Sequence, residues 1–115
     1  MRQTCAAAAL ALVFAGPVQA DLVIQGREAQ ALHCAAMLFM VSGLLFDMGE
    51  ISRNSRDDGQ RAALIMLDQV PGTDEQRRRA MVQRFERIIQ SRTPNQLGQE
   101  YAQTARWCST AFLPR

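Results

Sequence analysis

Apolar residues recur with the spacing of an α-helix in four segments of this chain. The first segment, residues 28–51, carries one narrow apolar stripe: Cys34, Leu38, Val41, Leu45 and Met48. No segment after residue 20 alternates apolar and polar positions for long enough to predict a β-strand. The pattern therefore predicts an all-α fold, a small up-down four-helix bundle.

The first segment is also apolar on its opposite side, where polar residues appear only at Asp47 and Glu50. This second face consists of Leu32, Ala36, Phe39, Gly43 and Phe46. A helix that is apolar almost all round must be covered on more than one side. Either the bundle wraps this helix as its central element, which we favour, or two copies of the chain form a homodimer across the second face.

A membrane span is a weaker interpretation of this segment. Its apolar core, residues 31–46, is shorter than the roughly 20 residues that cross a bilayer and lacks basic flanks. We therefore expect no stable membrane insertion once the N-terminal segment described below has been removed.

Capping residues mark the starts of the next two helices. The polar stretch before the second helix, predicted over residues 58–70, contains two candidate N-caps, Ser55 and Asp57. The third helix opens with Thr73 and Gln76, which have the spacing of a capping box. This capping box predicts the most secure helix boundary in the chain.

The third helix is expected to end near Thr93, ahead of a proline, and its buried stripe comprises Met81, Phe85, Ile88 and Ile89. The fourth helix is predicted over residues 95–112, with its own apolar stripe: Leu97, Tyr101, Ala105, Cys108 and Phe112. Cys34 and Cys108 therefore both face the core, one on the first helix and one on the last.

Residues 1–20 have the organisation of a secretory signal peptide. Arg2 supplies a positive start, residues 6–16 are small or apolar throughout, and Val18 and Ala20 place small residues before the cleavage site. The alternative, an uncleaved anchor, is disfavoured because the apolar run is shorter than the roughly 20 residues that a helix needs to span a bilayer. The chain is therefore expected to be exported and released.

Cleavage near Ala20 leaves residues 21–115 as a single helical domain, in the periplasm or outside the cell. Cys5 leaves with the signal peptide, so Cys34 and Cys108 remain. Two cysteines in an oxidising compartment predict one disulfide. Closing a loop of about 75 residues stabilises a protein by about 4 kcal/mol, so this bond matters for a small domain.

The charge balance argues against nucleic acid as a partner. The whole chain has a net charge of +2, and loss of Arg2 leaves +1. The third helix nevertheless carries a patch of arginines: Arg77, Arg78, Arg79, Arg84 and Arg87. Acidic residues are interspersed, so this patch is either a solvated face with salt bridges or a contact surface for an acidic partner or anionic lipid.

No group of residues supports catalysis. The sequence contains no nucleophile elbow, phosphate-binding loop, zinc-binding spacing or haem-attachment motif. The acidic pairs at 57–58 and 74–75 lie at the starts of helices, where the helix dipole favours negative charge. His33 adjoins Cys34, but neighbouring residues on a helix point about 100° apart and cannot readily share a metal ion. We therefore predict no enzymatic activity, no metal site and no cofactor.

Two other residue types leave alternatives open. Five methionines recur at core spacing: Met37, Met40, Met48, Met66 and Met81. They either fill the core or line a hydrophobic groove for a partner. Binding of copper by their thioether groups is less favoured. Trp107, next to Cys108, either packs over the disulfide or projects as an interaction anchor.

Together these features predict an exported, non-enzymatic module that binds one protein partner, as an inhibitor or immunity protein does, through Arg77, Arg78, Arg84 or Trp107. The alternative is a stress chaperone or structural protein that uses the second apolar face of the first helix. In outline the chain resembles the acid-stress chaperones of the bacterial periplasm and the immunity proteins that neutralise effectors of contact-dependent secretion systems. This resemblance consists of size, export and one disulfide, and covers no motif.

Overall fold

Helices and short turns make up residues 24–114, the part of the chain that the computed structural model describes. The four helices are α1 (Gly26–Asp47), α2 (Arg53–Leu67), α3 (Asp74–Gln90) and α4 (Pro94–Phe112). Within this range there is no strand, so the predicted all-α four-helix bundle is confirmed. The predicted signal peptide, residues 1–20, lies outside the described residues.

The central helix of the bundle is α1, which contacts each of the other three helices. On its second apolar face, Leu32 and Ala36 are buried by the chain itself, while Phe39 and Phe46 are half-buried. The bundle thus wraps most of this face, as in the arrangement that the sequence favoured. Whether two copies also associate stays a prediction.

A π-helical segment, Ala36–Val41, interrupts α1 at its centre. Such a segment frees backbone carbonyl groups from their usual α-helical partners. The Ser42 hydroxyl donates to the carbonyl oxygens of Leu38, at 2.6 Å, and Phe39, at 3.0 Å. Gln60 of α2 also donates its side-chain amide to the Phe39 carbonyl, at 3.4 Å. Contacts from α1 and α2 therefore hold the π-helical segment in place.

The first helix ends earlier than predicted, at Asp47. Gly49 adopts a positive φ of 77°, and the amides of Gly49 and Glu50 donate to the carbonyls of Phe46 and Leu45. This pattern is the Schellman motif, which closes the C-terminus of a helix. Met48, expected on the core stripe, is consequently 44% exposed because it follows the last helical residue.

The second helix begins earlier than predicted, at Arg53. Its N-cap is Ser52, whose hydroxyl accepts a hydrogen bond from the Ser55 amide at 3.1 Å, rather than Ser55 or Asp57. The additional turn covers the exposed end of α1, since the Arg56 guanidinium lies 4.3 Å from the centre of the Phe46 ring. The stretch expected to be a polar break thus contributes packing.

The third and fourth helices both open with capping boxes. The predicted box is confirmed: the Thr73 amide donates to the Gln76 side chain and the Gln76 amide donates to the Thr73 hydroxyl. Thr93 and Gln96 form the same pair of bonds at the start of α4. This second box starts α4 at residue 94, one residue earlier than predicted, and α3 ends at Gln90.

A disulfide joins Cys34 of α1 to Cys108 of α4, and both residues are fully buried. The bonded residues are separated by 74 positions in sequence, so the bond closes a loop over most of the described chain. The predicted disulfide is therefore confirmed. Together with an apolar N-terminal segment compatible with a signal sequence, it indicates an oxidising compartment.

By length and composition alone, α1 could cross a membrane. More than half of its most apolar stretch is buried inside the bundle, however. The central helix of a water-soluble bundle has the same length and composition. The apolar character of α1 is thus accounted for by its position in the core.

Candidate functional site

An apolar groove lies between α2 and α3. Each of these helices packs extensively on α1 but hardly on the other, so they leave a space of about 530 Å³ above α1. Its floor is formed by the π-helical segment, and α2 and α3 form its walls. The apolar lining residues are Phe39, Met40, Leu64, Leu67, Met81 and Val82.

The walls of the groove expose large apolar side chains to solvent. Leu64 of α2 is 53% exposed, and Val82 of α3 is 38% exposed. An apolar groove with exposed walls is typical of a surface that binds a ligand or another protein. In the sequence, the apolar face of the second helix consists of Ala63, Met66, Leu67 and Val70, and the position of Leu64 outside this face was a signal for an exposed apolar contact.

The methionines divide between the core and the groove. Met37 and Met66 are fully buried in the core, whereas Met40 and Met81 line the groove. Met48 is exposed at the end of α1, away from the groove. Met37 and Met66 thus fill the core, whereas a role of the groove methionines in binding a partner stays a prediction.

Charged residues surround the end of the groove nearest the α2–α3 turn. The Arg77 guanidinium is only 23% exposed, donates to the Val70 carbonyl at 2.7 Å and pairs with Asp74. Arg78 pairs with Glu75. The carboxylates of Asp68 and Asp74 are by contrast almost fully exposed. Three acidic residues and two arginines line this rim, so its formal charge is −1, and the Arg78 side chain is exposed as well.

The arginine patch predicted on α3 is thus divided. Arg77 and Arg78 lie at the groove rim in salt bridges, and Arg79 is also within 3.7 Å of a Glu75 oxygen. Arg84 instead lies on another face of α3, in a pocket that it shares with His33. For the first three arginines, the structure matches the interpretation of a solvated face with salt bridges.

Trp107 lies on α4, which contributes no residue to the groove. Its side chain is 49% exposed, and its ring meets the ring of Phe112 edge-on, with 6.0 Å between their centres. The guanidinium of Arg27 covers Phe112, 4.4 Å from the centre of that ring. Trp107 is therefore not brought together with Arg77 and Arg78, and its role as an anchor stays a prediction.

His33 is half-buried beside α3. Burial lowers its pKa from the ordinary value of 6.5, and the nearby charges of Arg84 and Arg92 lower it further, against the opposing effect of Glu100. Among residues 24–114, no three histidine, cysteine or acidic side chains are grouped closely enough to hold a metal ion. The surroundings of His33 are thus positively charged and favour its neutral form.

No protein-family model matches this chain, and neither a curated protein nor a solved structure matches it. The features of the chain that bear on its function are therefore the groove, its charged rim and the disulfide.

Proposed function

We propose that this chain is an exported, non-enzymatic binding module of the bacterial periplasm, whose groove between α2 and α3 receives one helix of a partner protein. The observation that carries the proposal is the exposure of Leu64 and Val82 on facing walls of one apolar groove. Export is supported by the apolar N-terminal segment and by the disulfide between Cys34 and Cys108.

The shape of the groove favours a helix as its occupant. Since α2 and α3 pack on α1 but hardly on each other, an added helix would find walls on both sides, as in helix-in-groove recognition. Methionine side chains adapt to different apolar shapes, and Met40 and Met81 lie where that helix would pack. The partner helix should therefore present an apolar face to α2 and α3.

The charges at the rim indicate the polarity of the partner. The exposed carboxylates of Asp68 and Asp74 would attract basic side chains at the end of the partner helix nearest the α2–α3 turn. The ion pairs at this rim join Arg77 to Asp68 and Asp74 and join Arg78 to Glu75, which leaves one carboxylate in excess. We therefore expect an apolar helix with lysine or arginine at one end, rather than the acidic partner that the arginine patch first suggested.

Photo-crosslinking in the exported full-length chain tests this proposal. A benzophenone amino acid replaces Val82 on the groove wall in one variant and Gln103, exposed on α4, in a matched control. We expect the first variant to cross-link one periplasmic protein, through residues on the apolar face of a helix, and the control to leave that protein unlinked. Mass spectrometry of the cross-linked peptides provides the measurement.

Three outcomes of this experiment would contradict the proposal. Equal cross-linking of one protein from Val82 and Gln103 would show that the groove is not the contact surface. Cross-links from Val82 to a second copy of this chain would identify a homodimer interface. Cross-links to many unrelated proteins would instead support the stress-chaperone alternative. That alternative uses the second apolar face of α1, and Phe39 of this face also belongs to the groove floor.

A further inference from the structure

A second pocket, on a different face of α3 from the groove, collects positively charged side chains. His33 of α1, Arg84 and Arg87 of α3, and Arg92 of the α3–α4 connection all border it. Its volume is about 330 Å³, and its remaining lining residues are Ile88 and Ser91. Two stretches that are distant in sequence, α1 and the end of α3 with the connection after it, thus bring one histidine and three arginines to one surface.

One carboxylate near this pocket is already engaged. Glu100 of α4 binds Arg92 through both of its oxygens, and the second contact measures 3.0 Å. Within residues 24–114, no carboxylate oxygen lies within the 4.0 Å salt-bridge distance of Arg84 or Arg87. Two guanidinium charges therefore remain without an acidic partner in the described part of the chain.

The repulsion between these positive charges affects Arg84. Burial lowers the pKa of this half-buried guanidinium, and the like charge of Arg87 lowers it further. The C-terminal end of α3 offsets only part of this, because a helix end carries about half an elementary charge. A bound anion would remove the repulsion, so the pocket is arranged to favour one.

We propose that this pocket binds the phosphate monoester group of a small organic molecule, held by Arg84 and Arg87 beside the ring of His33. A phosphate monoester carries nearly two negative charges near neutral pH, which matches the two guanidinium groups, whereas a single carboxylate would neutralise one. The pocket is larger than a phosphate group, so it leaves room for the organic part of the molecule.

His33 is the one histidine in the sequence, so its ring gives an unambiguous NMR signal. Phenyl phosphate is the probe, benzoate is the carboxylate of similar shape, and inorganic phosphate lacks the organic part. We expect phenyl phosphate to shift the His33 signal saturably and to raise its pKa, because the anion counteracts the charges of Arg84 and Arg92. Phenyl phosphate should bind about tenfold more tightly than benzoate, as expected for one further charge-assisted contact.

Matched arginine variants locate the site. Arg84→Gln and Arg87→Gln should each weaken binding of phenyl phosphate by about tenfold or more, the loss of one charge-assisted hydrogen bond. Arg78→Gln is the control, because Arg78 lies on the same helix but outside this pocket. Thermal unfolding of each variant separates lost binding from lost folding.

Several results would overturn the proposal: the absence of saturable binding, equal affinity for benzoate, or equal losses in Arg78→Gln and Arg84→Gln. If the protein bound phosphatidic acid vesicles but not phenyl phosphate, the ligand would be a lipid surface and not a small molecule. The groove is a separate surface, so these outcomes leave the proposed protein-binding function untouched.

Discussion

A variant carrying both Cys34→Ala and Cys108→Ala is expected to lose about 4 kcal/mol of unfolding free energy. The disulfide spans 74 positions in sequence, so its removal releases much of the unfolded chain from a constraint. Small domains have about 5–15 kcal/mol of stability in total, so the variant should be only marginally folded. Guanidinium denaturation followed by circular dichroism measures the difference.

Reduction of the wild-type protein provides the matched control for the cysteine variant. A thiol reductant should lower the unfolding free energy by a similar amount, since it breaks the same bond without removing side-chain volume. The exported protein should show no alkylatable thiol at Cys34 or Cys108 before reduction. A loss below about 1 kcal/mol, within the range of ordinary point mutations, would mean that the bond contributes little to stability.

Gly59→Ala is expected to destabilise the bundle by about 2 kcal/mol through overpacking. A Cβ atom at this position would lie 2.9 Å from the Leu38 carbonyl oxygen and 2.9 Å from the Tyr101 hydroxyl. The carbonyl belongs to the π-helical segment and cannot move without disturbing α1. Glycine at this position therefore permits the close approach of α2 to α1, and denaturant unfolding measures its contribution.

Gly98→Ala is the matched control for Gly59→Ala. Gly98 also lies within a helix, but a Cβ atom there would meet nothing within 4 Å. Alanine is favoured over glycine in a helix by about 1 kcal/mol, so this variant should be more stable than the wild type. If Gly59→Ala stabilised the protein as Gly98→Ala does, the close contact between α1 and α2 would be refuted.

The fold could be predicted because burial in a helical bundle follows the helical period. Cys34, Leu38, Val41 and Leu45, which share one stripe of the sequence, are all buried on α1. The disulfide followed from the same pattern, since Cys34 and Cys108 lay on core-facing stripes and the third cysteine lay in the predicted signal peptide. Local periodicity and one covalent constraint therefore contained most of the information about the architecture.

Helix boundaries were predicted less well, because several residues competed for the same capping roles. Ser52, Ser55 and Asp57 are all good N-caps, and only the packing of α2 over Phe46 selects the first. Gly49 carried a usable signal, because glycine commonly ends helices in a left-handed conformation. The continuing apolar pattern around Met48 and Ile51 concealed this signal in the sequence.

The position of the groove could not be predicted, because it arises from the separation of two helices that are adjacent in sequence. The tight turn after Val70 predicts that α2 and α3 run antiparallel but does not fix how closely they approach, and both pack mainly on α1. Which apolar residues remain exposed, such as Leu64 and Val82, depends on that arrangement. The salt bridges of the rim arginines could be predicted, because Asp74 and Glu75 precede them by three or four residues on the same helix.

Titration calorimetry with the partner identified by cross-linking tests the central claim most directly. It compares the affinities of two variants that each place a charge on α2. Leu64 and Ile65 are neighbours with similar exposure, 53% and 47%, but only Leu64 lines the groove. Leu64→Glu should weaken binding by about tenfold or more, as expected for a charge placed in an apolar contact, while Ile65→Glu should change it little. Equal affinity of the two variants would contradict the assignment of the groove as the binding site.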